Sequence, residues 1–132
     1  MDIFFNDPNE MPLPPEEVRI RKLTAEPWSG GKLIHVYMEV DPFQKPPNAD
    51  LFIRNEIGEI AASASIIESM HRKMELTMHL PESSPNEQYT LEAKLYFAEI
   101  VEGTGSNHET KPINKQIVDR SKIHFQISIQ DT

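Results

Sequence analysis

The sequence predicts an all-β fold, a seven-stranded antiparallel β-sandwich, and three observations support this prediction. Apolar and polar residues alternate over at least four segments, clusters rich in Pro, Gly and Asn separate the segments, and no segment shows convincing helical spacing. Alternation with a period of two buries one side of a strand and exposes the other, as in antiparallel sheets. Two such sheets bury their apolar sides against each other.

Length and composition limit the class of protein. The 132 residues suit one domain with a sizeable core. The chain has no cysteine, which excludes disulfides, thiolate metal sites and thiol nucleophiles and fits a reducing compartment. Because 21 acidic residues outnumber 13 Lys and Arg, the net charge is −8. Such a surface repels phosphate backbones, so we expect no nucleic-acid partner.

Residues 1–17 are expected to form a flexible N-terminal segment, and residues 18–132 a single sandwich domain. The segment contains several prolines among acids and amides, a composition that favours neither a helix nor a strand ladder. It lacks basic residues, and its longest apolar run has three residues. We therefore expect neither a signal peptide nor a membrane span, and a cytoplasmic location.

The predicted strands follow the alternation along the chain. The sixth is the clearest, because Tyr89, Leu91 and Ala93 share one face with two later apolar residues. In the first, the apolar register shifts at Arg21 and Lys22, which predicts a β-bulge. The fourth is built mostly of small residues, which is typical of an edge strand. In order, the predicted strands are residues 18–25, 32–40, 49–54, 59–67, 72–80, 88–97 and 122–129.

The predicted sheets divide the strands into two groups. One contains the first, second and fifth strands with the fourth at its edge, and the other contains the third, sixth and seventh. Residues 98–121, between the last two strands, are longer than most connections in compact domains. We expect this stretch to form either a long loop or a hairpin arm that extends both strands.

The stretch LPESSPNEQYTLEAKLYF resembles the immunoglobulin-like and fibronectin type III-like sandwiches. In that superfamily a tyrosine at the start of the sixth strand turns its hydroxyl onto the preceding corner, and Tyr89 occupies this position. The resemblance implies an immunoglobulin-like fold with Tyr89 as a structural corner. Leu91 stands where an immunoglobulin domain carries cysteine. The superfamily implies no single function.

The sequence contains no recognisable catalytic or cofactor-binding motif. The HExxH, GxSxG, Walker and dinucleotide-binding patterns are all absent. His35, Glu39, Glu75 and His79 are expected to share an outer sheet face. A zinc site needs three or four ligands that converge on one point, and the spacing does not require this. We predict solvated surface histidines, no catalytic residue, no metal site and no cofactor.

Our leading hypothesis is a non-catalytic module that binds an unidentified protein partner or a second copy of itself. The contact would use a sheet face, a sheet edge or the long connection before the last strand. Tyr37, Phe52 and Tyr96 are expected on polar outer faces, and aromatic residues are enriched at interfaces. Trp28 is expected to cover the open end of the core, with ligand stacking as the alternative.

Two other function classes stay open. Asp41-Pro42-Phe43 resembles the Asp-Pro-aromatic step of C2 domains, which are β-sandwiches that bind lipid with calcium. Calcium takes six to eight oxygen ligands. Asp41 and Asp50 are available for such a site, but residues 98–121 add only widely spaced acids. The third hypothesis, with the least support, is a hydrolase whose site carries no recognisable motif.

Overall fold

The computed structural model describes residues 11–81, 87–102 and 110–127, and it confirms a β-sandwich of two antiparallel sheets. Within these ranges, two short 3₁₀ segments, residues 15–17 and 29–31, accompany the strands. Within the described ranges, no helix is long and apolar enough to cross a membrane. The seven strands are β1 (Ile20–Trp28), β2 (Leu33–Val40), β3 (Asn48–Arg54), β4 (Ile60–Ile66), β5 (Lys73–His79), β6 (Gln88–Glu102) and β7 (Thr110–Gln126).

One sheet has the order β1-β2-β5 and the other the order β4-β3-β6-β7. The prediction that β4 lies beside the first sheet is wrong, because β4 pairs with β3. A tight turn causes this pairing: the Asn55 side-chain oxygen accepts hydrogen bonds from the backbone N–H groups of Ile57 and Glu59. Gly58 supplies a φ of 90°, which side chains larger than hydrogen disfavour. The chain therefore crosses between sheets after β4.

The core consists of the inward side chains of both sheets, as the alternation predicts. Ile34, Val36, Met38 and Val40 of β2 are all fully buried. Leu51 and Ile53 of β3 face them from the other sheet, together with the inward side chains of β6. The predicted bulge is confirmed as a register shift between Ile20 and Lys22. The β6 side chains that belong to this core are Tyr89, Leu91, Ala93, Leu95 and Phe97.

The last two strands form the longest hairpin of the molecule. β7 begins at Thr110 rather than at residue 122, and β6 continues to Glu102. Of the two expected forms, a long loop or a hairpin arm, the structure shows the arm, and the strands predicted from alternation were too short. Two register shifts, at Leu95/Tyr96 and at Phe97/Glu99, interrupt the pairing. They explain why strict alternation did not reveal the full length of these strands.

The described part of the N-terminal segment contacts the β2–β3 loop. Leu13 bridges Phe43 in parallel: its N–H donates to the carbonyl of Pro42 at 3.0 Å, and its carbonyl accepts from the N–H of Gln44 at 3.0 Å. The 3₁₀ turn Pro15–Glu17 then leads to the fully buried Val18. Residues 1–10 lie outside the described residues, and the flexibility of residues 1–17 stays a prediction.

Candidate functional site

Each sheet presents one outer face, and the predicted binding residues are divided between the two. We call the outward side of β1, β2 and β5 the three-stranded face. We call the outward side of β4, β3, β6 and β7 the four-stranded face. Strand register places Trp28 and Tyr37 on the first and Phe52 and Tyr96 on the second. The four residues therefore do not form one site.

Trp28 is the large exposed side chain of the three-stranded face. It is 45% exposed and stacks on His35, with 4.5 Å between the ring centroids and 9° between the ring planes. The expectation that Trp28 covers the open end of the core is wrong, because β1 continues through residue 28 and turns the indole outward beside Leu33. The stack holds the indole on the sheet while leaving nearly half of it open to solvent.

The imidazole ring of His35 is itself held in place by its surroundings. His35 Nε2 lies 3.4 Å from Glu75 Oε1 across the β2–β5 pair. His35 Nδ1 is buried and has no hydrogen-bond partner. The two ring nitrogens are thus in different surroundings: Nε2 lies beside a carboxylate, and Nδ1 is buried without a hydrogen-bond partner. In the described ranges, no group of three or more His, Asp or Glu side chains is arranged to hold a metal ion.

Tyr37 is part of a hydrogen-bonded group at the opposite end of the three-stranded face. Its hydroxyl donates to Glu39 Oε1 at 2.9 Å, and Arg72 Nη1 donates to Glu39 Oε2 at 2.9 Å. Lys22 Nζ lies 5.6 Å from the centre of the Tyr37 ring. The hydrogen bond from Tyr37 and that from Arg72 lower the pKa of Glu39, and the hydrogen bond to Glu39 raises the pKa of Tyr37.

On the four-stranded face, Phe52 is half-buried between two cations. Arg54 and Lys94 lie 5.9 and 5.5 Å from its ring centre. Such contacts cover an aromatic face and stabilise it by about 0.5–1 kcal/mol at exposed sites. The Arg54 side chain also donates to the carbonyl of Gly58 and lies 3.6 Å from Glu92. Phe52 therefore points outward, but the side chains of Arg54 and Lys94 already lie over its ring.

Tyr96 is not exposed, contrary to the prediction, although it lies on the outward side. Only 1% of its surface is accessible. Lys115 Nζ lies 4.6 Å from the Tyr96 ring centre and 3.1 Å from Asp50 Oδ2, so a side chain of β7 covers the ring. The register shift at Leu95/Tyr96 and the early start of β7 bring Lys115 there. Burial, followed by the Asp50 charge, raises the pKa of Tyr96.

Asn48 is a structural polar residue that the sequence did not reveal. It is 2% exposed. Its Nδ2 donates to the carbonyl of Tyr96 at 3.3 Å, and its Oδ1 accepts from the N–H of Glu68 at 2.8 Å. The side chain thus connects β3, β6 and the β4–β5 connection. It follows Pro46 and Pro47, and nothing in the sequence distinguishes it from an ordinary loop asparagine.

Tyr89, the predicted structural corner, lies at the start of β6 and is 2% exposed. Its hydroxyl donates to Glu87 Oε1 at 3.1 Å, in the turn that precedes the strand. Its ring stacks on Phe125 of β7, with 5.7 Å between centroids. The side chain therefore links the preceding turn to the core. Its equivalence to the corner tyrosine of immunoglobulin-like domains stays a prediction.

The two acids of the calcium hypothesis are engaged with the protein. Asp41 Oδ2 accepts from the N–H of Arg19 at 3.0 Å, and Asp41 Oδ1 accepts from Arg21 Nε at 2.6 Å. This hydrogen bond and the charge of Asp41 raise the pKa of Arg21. Asp50 accepts from Lys115 and from Ser65. Both carboxylates thus stabilise the sandwich, Asp41 at one end of it and Asp50 on the four-stranded face.

Three surface depressions lie in the described part of the chain. One of about 310 Å³ includes Asp119, and one of about 240 Å³ includes Glu99. None of the three contains two carboxylates, the arrangement that many acid–base hydrolases use. The largest, of about 470 Å³, is lined by Pro42, Phe43, Met70, His71, Arg72 and Lys73.

Neither a protein-family model nor a curated protein matches the chain. Among solved structures it is similar to a β-glucuronidase of Bifidobacterium dentium, with a TM-score of 0.52, 16% identity and 83% of this chain covered. It is also similar to a glycosyl hydrolase family 2 member from Bacteroides cellulosilyticus, with a TM-score of 0.51, 11% identity and 83% covered. The chain spans only 18% and 15% of those proteins. At this identity the likeness concerns the fold, a β-sandwich.

Proposed function

We propose that this chain is a non-catalytic immunoglobulin-like module that binds a protein partner through the three-stranded face. The fold supports the immunoglobulin-like assignment: β1, β2 and β5 face a sheet in which β3 pairs with β6 and β6 with β7. Those are the relations of strands A, B and E to strands C, F and G in that superfamily. The fourth strand lies next to the third, on the side of the sheet where variable-type immunoglobulin domains add a strand.

The exposed, stacked Trp28 is the observation that carries the proposed binding role. Tryptophan is enriched among the few residues that dominate binding energies, where it fills a pocket of the partner. Trp28 lies on a strand rather than in a loop, and His35 restrains one of its ring faces. Little side-chain entropy is therefore lost when a partner covers the indole. The same face also carries three charged residues, Lys22, Glu26 and Glu75.

The similar structures support the role of an accessory domain. In both, a sandwich like this one corresponds to less than a fifth of a much longer hydrolase. Glycoside hydrolysis typically needs two carboxylates on either side of the scissile bond, about 5–9.5 Å apart. Because the three depressions above contain at most one carboxylate each, we assign no hydrolase activity to this chain. The absence of cysteine supports action in a reducing compartment, and we propose the cytoplasm.

The binding role is tested in two steps. A protein captured by the immobilised chain is first purified, and its affinity for the chain is then measured directly by calorimetry. We expect Trp28→Ala to weaken binding by about 30-fold, the effect of losing a hot-spot residue of about 2 kcal/mol. Ile57→Ala serves as the matched control, since Ile57 is 78% exposed but lies on the β3–β4 turn. Equal affinities for the Trp28 variant and the unmodified protein would refute the proposal.

Calcium binding, the alternative function, is separated from this one by thermal unfolding. A ligand that binds only the folded protein raises the midpoint of unfolding. Because Asp41 and Asp50 are held by Arg21 and Lys115, we expect the same midpoint with and without calcium in excess. A calcium-dependent increase that Asp41→Asn abolishes would favour the C2-like function instead.

A further inference from the structure

The largest of the three depressions lies where β2 ends and β5 begins. Its volume is about 470 Å³, and it is lined by Pro42, Phe43, Met70, His71, Arg72 and Lys73. The first three form an apolar part, and the last three carry basic side chains. The two smaller depressions each include an acidic residue. No described residue that lines the largest one is acidic, although the chain has a net charge of −8.

The charges beside this depression are mainly positive. Strand register places Glu39 between Lys22 of β1 and Lys73 of β5. Glu39 Oε2 accepts from Arg72 Nη1 at 2.9 Å, and Glu39 Oε1 accepts from the Tyr37 hydroxyl at 2.9 Å. Three cations thus surround one carboxylate, both of whose oxygens are already hydrogen-bonded. The field at this end of the sandwich therefore favours a negatively charged ligand.

Main-chain hydrogen bonds hold the part of the β2–β3 loop that lines the depression. The N–H of Leu13 donates to the carbonyl of Pro42, and the N–H of Gln44 donates to the carbonyl of Leu13, each at 3.0 Å. At the end of β2, the N–H of Val40 donates to the carbonyl of Arg72 at 2.9 Å. The loop side of the depression is therefore fixed relative to the first residues of β5.

The turn before β5 holds Met70 out into solvent. The buried Ser69 donates through its hydroxyl to the carbonyl of His71 at 2.8 Å and accepts from the N–H of His71 at 3.3 Å. The N–H of Ser69 donates to the carbonyl of Pro47 at 2.9 Å. In this anchored turn Met70 is 74% exposed. The turn thus presents a flexible apolar side chain, of a type that adapts to different binding partners, at the edge of the depression.

The shape of the depression favours a peptide over a small molecule. Pockets for small molecules bury most of the surface of the ligand. Here Met70, His71 and Lys73 are all exposed, so the depression is open on this side. A peptide can lie across such a surface, with one side chain in the apolar part and its charges beside the basic residues. An aromatic side chain suits the apolar part, because the sulfur of methionine makes favourable contacts with aromatic rings.

We propose that this depression binds a peptide segment of a partner protein in which an aromatic residue is flanked by acidic residues. The ring packs against the apolar part, and a carboxylate pairs with Lys73. This inference goes beyond the proposed function, because it concerns the other end of the three-stranded face. Trp28 lies opposite Leu33 of β2. Lys73 lies opposite Glu39, six residues or about 20 Å further along the same strand.

Three synthetic peptides test the ligand chemistry on the full chain. The first is Asp-Glu-Phe-Asp-Glu with both ends blocked, the second replaces its acids by Asn and Gln, and the third replaces its phenylalanine by serine. We expect saturable binding of the first and about tenfold weaker binding of each of the others, because one loses the charges and the other loses the ring. Proton–nitrogen correlation spectra should show shifts concentrated at residues 43 and 70–73. No shifts at millimolar peptide, or equal affinities for all three peptides, would overturn the inference.

Single substitutions locate the contact for the acidic aromatic peptide. Lys73→Glu turns an attraction into a repulsion and is expected to weaken binding by about tenfold. Lys32→Glu is the matched control, because it changes the net charge equally but lies in the exposed turn before β2, at the Trp28 end of the sheet. Met70→Ala is expected to weaken binding, whereas Ile57→Ala, at a similarly exposed position on another turn, should not.

Each remaining outcome decides between a defined site and its alternatives. Equal weakening by the two lysine variants would indicate diffuse charge attraction and would overturn the site. Unchanged binding in both Lys73→Glu and Met70→Ala would overturn it as well. Trp28→Ala is expected to leave the peptide affinity unchanged, which separates this inference from the proposed function, and a loss of binding in that variant would overturn the placement. Circular dichroism verifies that each variant is folded.

Discussion

The two outer faces of the sandwich carry similar kinds of residues, but they differ in how far neighbouring side chains cover their aromatic rings. On the four-stranded face, cations lie over Phe52 and Tyr96, and Lys115 also pairs with Asp50. On the three-stranded face, Trp28 remains 45% exposed, with only one side of its ring restrained by His35. The comparison teaches that an outward position does not determine exposure. Tyr96 is covered by Lys115 of the long strand β7, whereas Phe52 is covered by Arg54 of its own strand and by Lys94 of β6.

The difference between the two faces comes mainly from β7, the long edge strand of the four-stranded sheet. It extends to Thr110 and carries Lys115 past the end of β3 and over Tyr96. On the other sheet, β5 ends at His79, opposite Leu33. The indole of Trp28, which lies beside Leu33 on the other side of β2, is left without an ionic cover. The region around Tyr96 on the four-stranded face is thus covered, whereas the region around Trp28 on the three-stranded face is open to solvent.

The largest expected effect is on the four-stranded face, where Tyr96→Ala removes a buried ring. Truncation of a buried aromatic residue typically lowers the free energy of unfolding by about 3–5 kcal/mol. Tyr96→Phe keeps the ring and is expected to cost about 1 kcal/mol, the effect of losing a hydrogen bond of the hydroxyl. Urea unfolding of both variants measures the difference. If Tyr96→Ala cost no more than the Phe variant, the ring would not be covered as described.

A smaller effect is expected for Asn48→Ala, which removes the amide that connects β3 with β6 and with Glu68. Two backbone groups then lose a partner in a buried place, at a cost of about 1–3 kcal/mol. Thr77→Ala, at an exposed position on the three-stranded face, should change stability by less than about 0.5 kcal/mol. The same urea series compares them. Equal costs would contradict the structural role given to Asn48.

Trp28→Ala is expected to lower the free energy of unfolding by less than Tyr96→Ala does, because 45% of Trp28 is exposed; the stack on His35 contributes about 0.5–1.5 kcal/mol beyond the area it buries. A companion variant, His35→Ala, keeps the indole but removes its stacking partner. Since Trp28 is the sole tryptophan, its fluorescence reports the change directly. We expect iodide to quench the His35 variant more strongly than the unmodified protein. Unchanged quenching would indicate that the stack does not restrain the indole.

The smallest expected effect is a pH dependence on the three-stranded face. Hydrogen bonds from Tyr37 and Arg72 lower the pKa of Glu39 below its ordinary value of 4.5. The folded protein therefore gains stability from the ionised carboxylate above that pH, and loses it as the pH falls through the lowered pKa. Urea unfolding at a series of acidic pH values should show a flatter decline for Glu39→Gln. Tyr37→Phe should give an intermediate slope, and identical slopes would disprove the assignment.

Much of the fold follows from local pattern. The alternating residues of β2, β5 and β6 predicted the buried side chains of those strands, and the shift at Arg21 and Lys22 predicted the bulge in β1. These features depend on the period of a strand and on burial of its apolar side, which neighbouring residues already express. The same pattern did not predict the partner of β4, because alternation specifies which side is buried and not which strand is adjacent.

The sequence by itself determined a two-sheet sandwich and most of its inward residues, because strand periodicity and turn chemistry are local properties, whereas it left residues 98–121 open as a long loop or a hairpin arm. Only the tertiary structure decided that Tyr96 is buried, that Trp28 stays exposed beside His35, and that β4, predicted as an edge strand, belongs to the four-stranded sheet. The exposure of a side chain depends on segments distant in the chain. Lys115, for example, covers a ring that precedes it by nineteen residues.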